Sequence, residues 1–366
     1  MENNYWVVDG WLIFKPEFND KLDEYYNVIN KYNKIMFSNY NDSLIAIETN
    51  NEFEQNYIDN YVENKFNQQI NLLNNINLTH LTFGDFFNQE IDLSNNIHLT
   101  HLTFERDFNK KIDLSNNINL THLTLGKNFN QEIDLSNNIN LTHLTFGDYF
   151  NQKIDLSNNI NLTHLTFGWS FNQEIDLSNN INLTHLTFKD DFNQEINLSN
   201  NTHLTHLTFG WVFNQKIDLS NNINLTHLTF KGDFNQKINL SNNINLTHLT
   251  FGCWFNQEIN IPLNVKSLNI QYCNNQYIID NLHNNIEELI ICKTKLNLDN
   301  LPNSIKKIYI NDYKKELNNL PNSIEYLELI NYNLKIKKIP KNLKTIKCNK
   351  NYKYINDFKD YVVIYY

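Results

Sequence analysis

Phe129-Asn130-Gln131-Glu132-Ile133-Asp134-Leu135-Ser136-Asn137-Asn138-Ile139-Asn140-Leu141-Thr142-His143-Leu144-Thr145-Phe146-Gly147-Asp148-Tyr149 is one copy of a unit that this chain repeats almost verbatim. Its opening Phe-Asn stands at Phe66, Phe87, Phe108, Phe129, Phe150, Phe171, Phe192, Phe213, Phe234 and Phe255, always 21 residues after the last. A period of roughly 20–29 residues is the signature of a solenoid of stacked units. Within the unit, Leu141-x-x-Leu144-x-Phe146 has the strand pattern of a leucine-rich repeat. A period of two sends Leu144 and Phe146 inward and His143 and Thr145 outward. Ile133-Asp134-Leu135 reads as a second extended piece with Asp134 outward, and Asn137-Asn138 turns the chain. Phe87 and its counterparts are expected to stack as an aromatic spine. Asn88 and its counterparts are expected as inward rungs whose amides satisfy backbone groups left unpaired at a bend.

The rest of the chain is organised around this unit. A length of 366 residues would ordinarily suggest two or three globular domains, but a solenoid grows in one dimension and escapes that count. With 41% hydrophobic residues and 24 Phe, core material is ample. Residues 1–65 do not repeat. There, Asp9-Gly10 between apolar runs signals a hairpin, because its turn needs positive φ at both positions. Leu22, Tyr25, Tyr26 and Ile29 have helical spacing within 19–33, Ile35-Met36-Phe37 and Leu44-Ile45-Ala46-Ile47 read as strands, and a second helix is expected over 52–62. This α+β segment would cap the open end of the stack. Regular repeats fill 66–260. Over 261–348 the strand signature continues in altered form, as Val265-x-x-Leu268-x-Ile270 and Ile286-x-x-Leu289-x-Ile291, and the spacing then shortens to 19. About fourteen strand-bearing repeats are expected. The aromatic tail 349–366 is expected to fold over the last rung. The fold class is therefore a repeat solenoid, leucine-rich-repeat-like, mainly parallel β with an irregular convex side and a small α+β N-terminal cap.

Phe-Asn-Gln followed by I-x-L, together with Leu301-Pro302-Asn303-Ser304-Ile305 and Leu320-Pro321-Asn322-Ser323-Ile324, resembles the FNIP repeat. That family is a leucine-rich-repeat relative of social amoebae and of the giant DNA viruses of amoebae. The chain departs from it in two ways. The family's Pro is replaced by Glu90, Lys111 or Gln69, and Leu-Ser-Asn-Asn-Ile stands for Leu-Pro-x-Ser-Ile in the middle repeats. Neither change touches an inward position. The resemblance implies no chemistry. Some members carry an F-box-like N-terminus, which implies a ubiquitin-ligase adaptor, but residues 1–65 lack the Leu-Pro opening of such a segment.

Charge and motifs limit the function. A net charge of −10 argues against nucleic acid, whose phosphates need a basic face. Cys253, Cys273, Cys292 and Cys348 form no C-x-x-C pair, so neither a zinc site nor a redox motif is indicated. No stretch of 18 apolar residues and no signal-like leader is seen, which gives the expectation of a cytoplasmic protein away from membranes (host cytoplasm if viral). No phosphate loop, nucleophile elbow or Cys-His pairing appears, and residues copied along a row do not converge on one pocket. Neither an enzyme nor a cofactor is expected.

Two surfaces stand out. His80, His101, His122, His143, His164, His185, His206, His227 and His248 each begin a strand and form a row. It reads as a passive consequence of duplication, as a pH-responsive column, or as a binder of soft divalent metal. The repeats differ chiefly just after the strand. Tyr149, Trp169, Trp211 and Trp254 fall there, on one rim, and aromatics dominate interaction hot spots. The expected function is a non-enzymatic protein-interaction scaffold. The alternatives are a ligase adaptor acting through residues 1–65, and metal or proton sensing by the histidines.

Overall fold

The computed structural model describes residues 4–41 and 61–366. The chain forms two compact units, Met1–Lys189 and Asp190–Tyr366. The first holds β1 (Tyr5–Val8), β2 (Trp11–Phe14), β3 (Lys34–Phe37), β4 (His80–Phe83), β5 (His101–Phe104), β6 (His122–Leu125), β7 (His143–Phe146), β8 (His164–Phe167) and β9 (His185–Phe188). β1 and β2 form the expected hairpin, with Asp9 and Gly10 at φ of 49° and 80°. From β2 to β9 each strand pairs in parallel with the next. The second unit holds β10 (His206–Phe209), β11 (His227–Phe230), β12 (His248–Phe251), β13 (Ser267–Gln271), β14 (Glu288–Cys292), β15 (Lys307–Asn311), β16 (Tyr326–Ile330), β17 (Thr345–Cys348) and β18 (Val362–Tyr365), all paired in parallel. The repeats thus supply six strands to the first unit and eight to the second, in line with the count read from sequence.

Register follows identity. His101 lies beside His122, Leu102 beside Leu123 and Thr103 beside Thr124. A 21-residue step therefore returns each residue to its own column, and a one-residue slip would turn every leucine outward. Leu102, Phe104, Leu144 and Phe146 are at most 1% exposed. The Phe spine forms as expected: Phe87, Phe108, Phe129, Phe150 and Phe171 stack at 6.0–6.1 Å. Each strand-end Phe packs on it, as Phe104 does on Phe108 at 3.7 Å. The column extends into the N-terminal segment through Phe66, Phe37 and Phe14. In the second unit Tyr313, Tyr332 and Tyr352 succeed the phenylalanines.

Four expectations need correction. Asn88 is not an inward rung. It is half-buried, and its Oδ1 accepts the backbone N–H of Asn109 at 3.0 Å, a ladder repeated from Asn109 to Asn130 and from Asn130 to Asn151. The inward asparagine is the second of the turn pair. Asn96, Asn117, Asn138 and Asn159 are fully buried, and Asn138 donates both amide hydrogens, to the Leu114 and Asn117 carbonyls at 3.0 Å. Those two carbonyls belong to the tight turns around Asn117 one rung earlier, where each also accepts a backbone N–H, so the buried amide fills their second acceptor position and ties one rung to the next. The helix expected over 19–33 contracts to a 3-10 turn at Leu22–Glu24 and one α turn, α1 (Tyr26–Ile29). Its apolar positions Leu22, Tyr25 and Ile29 are buried as expected, but the segment must return β3 to the rung beside β2. The tail does not lie over the last rung: β18 adds a rung in parallel with β17. Finally, Thr82 is buried and its counterparts are half-buried, so the outward threonines are less open than alternation suggests. The strand expected at 44–47 lies outside the described residues, as does nearly all of the helix expected over 52–62.

Candidate functional site: the histidine face and the aromatic rim

Each histidine of the row follows a threonine, and that neighbour sets its chemistry. The Thr142 hydroxyl donates to the Thr121 carbonyl at 3.0 Å, and His143 Nδ1 lies 2.9 Å from the same hydroxyl oxygen. A hydroxyl has one proton to give. The Thr121 carbonyl already accepts the backbone N–H groups of Thr142 and His143, at 2.9 and 3.0 Å, so that proton can serve either the carbonyl or the ring. His143 Nδ1 is engaged by the hydroxyl in either tautomer. The same pair of contacts recurs at Thr100–His101, Thr121–His122 and Thr163–His164, and in the second unit at Thr226–His227 and Thr247–His248.

The rings stack. In the first unit, from His80 to His185, consecutive centroids are 4.2 Å apart and the planes differ by 9–11°. His206, His227 and His248 stack likewise in the second, at 4.2 and 4.1 Å. Trp11 meets His80 edge-on at 5.5 Å, under the Lys34 ammonium. Protonation is disfavoured at five of these rings. His80, His101 and His122 fall from 6.5 to about 4, chiefly through burial, with neighbouring imidazoles and, for the first two, Lys34 adding to the effect. His143 and His206 are lowered for the same leading reason. These five rings are thus uncharged near neutrality. Parallel rings aim equivalent nitrogens in one direction, so neighbours do not converge on one ion. Among the described residues no group of three or more His, Cys, Asp or Glu makes a metal-ligand set.

The rim carries the aromatic residues. Tyr149 is 51% and Trp169 50% exposed in the first unit, and Trp211 is 45% and Trp254 66% exposed in the second. Lys127 lies 5.9 Å over the Trp169 ring, and Asp148 sits between Lys127 and Lys189, at 4.0 and 3.3 Å. The rim backbone is itself laddered, as by Tyr149 N–H to the Lys127 carbonyl at 2.9 Å. Nearer the N-terminus the buried Asp85 carboxylate accepts the Tyr61 hydroxyl, and burial holds Asp85 above the usual carboxylate range. Burial and the Asp85 charge lift Glu105 to about 7. Each regular strand therefore presents a histidine at its start and a rim position just past its end.

Other columns proved structural or went unforeseen. Asp92, Asp113, Asp134 and Asp155 each accept the backbone N–H two residues on at 2.9 Å, capping a turn. Asn197 and Asn239 do the same where Asp is absent. Beyond β12 the threonine column becomes Lys266, Glu287, Lys306, Glu325 and Lys344. It is linked by pairs of 3.7, 2.9 and 2.6 Å that are solvent-exposed and so individually weak. Sequence reading missed the role of Thr142 and its counterparts, although the constant Thr-His step was a visible signal. It also missed an exposed column of isoleucines, Ile76, Ile97, Ile118, Ile139, Ile160 and Ile181.

Comparison with known proteins supports the architecture. The FNIP Repeat family model matches residues 294–332. Among solved structures the chain is similar to CroV588, a circular LRR protein of a giant virus. The two share 32% identity at a TM-score of 0.64, over 94% of this chain and 57% of that one. The chain thus spans little more than half of that relative's length. It also shares its fold with an internalin, InlF of Listeria monocytogenes, at 21% identity and a TM-score of 0.52, over 68% of this chain and 78% of that one. No curated protein sequence matches. Among the described residues no helix is long and apolar enough to cross a membrane. The repeat motif, the parallel ladder of strands and these likenesses agree: the chain carries an FNIP repeat at 294–332 and has a leucine-rich-repeat-like solenoid fold.

Proposed function

We propose that this protein is a non-enzymatic scaffold that binds protein partners, through the aromatic rim and the histidine face beside it. The observation that carries this reading is the exposure of Tyr149, Trp169, Trp211 and Trp254 in a chain that buries its phenylalanine columns almost completely. A half-exposed indole exposes much apolar surface to water, and docking recovers that cost. The histidines whose protonation burial disfavours offer polar ring atoms that carry no charge to desolvate. The observations favour neither metal capture by the histidines nor a ligase-adaptor role for residues 1–65. The test is affinity capture from a eukaryotic lysate with the full chain, beside the triple variant Trp169→Ala, Trp211→Ala, Trp254→Ala. Loss of a partner only in the variant is the expected result, with binding weakened about tenfold or more. Equal capture by both proteins would remove the rim from the reading.

A further inference from the structure

We propose that the exposed isoleucine column of the first unit is a self-association surface, on which a second copy of this chain docks. It is separate from the histidine face and the rim. Ile76, Ile97, Ile118, Ile139, Ile160 and Ile181 hold one position in six successive repeats, each 47–56% exposed. A single exposed isoleucine needs no account. Six in register, at about 4.8 Å per rung, make an apolar strip roughly 24 Å long. Its area is on the order of a few hundred Å², the size at which exposed apolar surface marks an interaction site.

Three observations select a second copy as the occupant. The first is charge. The strip runs through Ser94–Thr100, Ser115–Thr121, Ser136–Thr142 and Ser157–Thr163; none of these residues is Asp, Glu, Lys or Arg, and His98 is the one titratable side chain among them, in a chain of net charge −10. Two such chains repel over most of their surface, and this strip is where they meet without desolvating a charge. The second is pitch. An isoleucine column seats between the isoleucines of an identical column along its whole length, whereas a partner without that period engages one or two rungs. The third is the flanking polarity. Asn116 donates to the Ser94 carbonyl at 3.2 Å and Asn119 to the Ile97 carbonyl at 2.8 Å. Each primary amide has two N–H groups and a carbonyl. One N–H is spent in the ladder, so a second N–H and the carbonyl remain for a facing amide of the same kind. A stable dimer needs about 800 Å² per partner, so the isoleucines would form its dry core and the amide columns its polar rim.

The test is sedimentation velocity of the full chain up to roughly 100 µM, compared with the triple variant Ile97→Thr, Ile118→Thr, Ile139→Thr. Threonine is compatible with the fold at this position, because Thr202 occupies it in the second unit. A concentration-dependent dimer is expected, weakened about tenfold or more in the variant with its melting curve unchanged. It should persist or tighten as salt rises, because salt screens the mutual repulsion. Should the triple variant melt early, the single Ile118→Thr variant decides by the same readout. A strictly monomeric wild type, equal association in the variants, or a dimer that dissociates with salt would each overturn the proposal. So would loss of the dimer in the Trp169→Ala, Trp211→Ala, Trp254→Ala variant.

Discussion

A threonine hydroxyl engages Nδ1 of its neighbouring histidine, and burial, ahead of the neighbouring imidazoles, disfavours the charged ring. The consequence for stability has a definite sign. His80, His101 and His122 take up protons near 6.5 when unfolded but only near about 4 when folded. Between those values the unfolded chain binds more protons, so the contribution is fully present above about 6.5 and is lost as pH falls towards 4. Thermal melting of the full chain from pH 7.5 to 4 should show Tm falling through that window. A variant with His101→Gln and His122→Gln should show a smaller fall over the same range. Parallel curves would mean that the row does not resist protonation. The outward placement of these histidines was legible from strand alternation. The anchoring of the threonine beside each ring was not, because it runs to a carbonyl 21 residues earlier in sequence that only stacking brings within 3.0 Å.

The repeat is also an element with two backbone forms at its strand exit. A Cβ on Gly147 would lie 1.9 Å from the Gly126 carbonyl oxygen, and one on Gly168 equally close to that of Gly147. Yet Glu105 and Lys189 occupy the same column. There the backbone N–H reaches the Phe83 and Phe167 carbonyls respectively, each at 3.1 Å. Gly147→Ala should therefore force a local shift towards the second form and destabilise the protein by about 1–3 kcal/mol, measured by urea denaturation. An unchanged midpoint would show that the two forms interconvert at no cost. The sequence displayed the Gly, Glu and Lys alternation, but the reason lies in the approach of one rung's backbone to the next. The asparagine columns follow the same logic. Composition made buried amides expected, while the choice of Asn96 and Asn138 over Asn88 came from where the turns leave carbonyls facing the core.

At the scale of the whole molecule, stability is close to a sum over repeats and their nearest-neighbour interfaces. Deleting Phe108–Asn128 removes 21 residues and joins Asp107 to Phe129, so every column is restored. That protein should fold, with circular dichroism per residue unchanged and Tm within a few degrees. Deleting only Phe108–Ile118 places turn residues against strand residues and should lower Tm sharply and expose the chain to proteolysis. Equal behaviour of the two deletions would contradict the register argument. The sequence by itself determined the period, the parallel ladder, the inward leucines and phenylalanines and the placement of the histidines and aromatics. Each of these follows from alternation and from a step that returns a residue to its own column. Only the tertiary structure decided the threonine–histidine contacts, the close stacking of the histidine rings, the inward asparagine and the exposure of the isoleucines. Those depend on contacts between equivalent atoms of neighbouring rungs, which are 21 residues apart in the chain and adjacent only once it has folded.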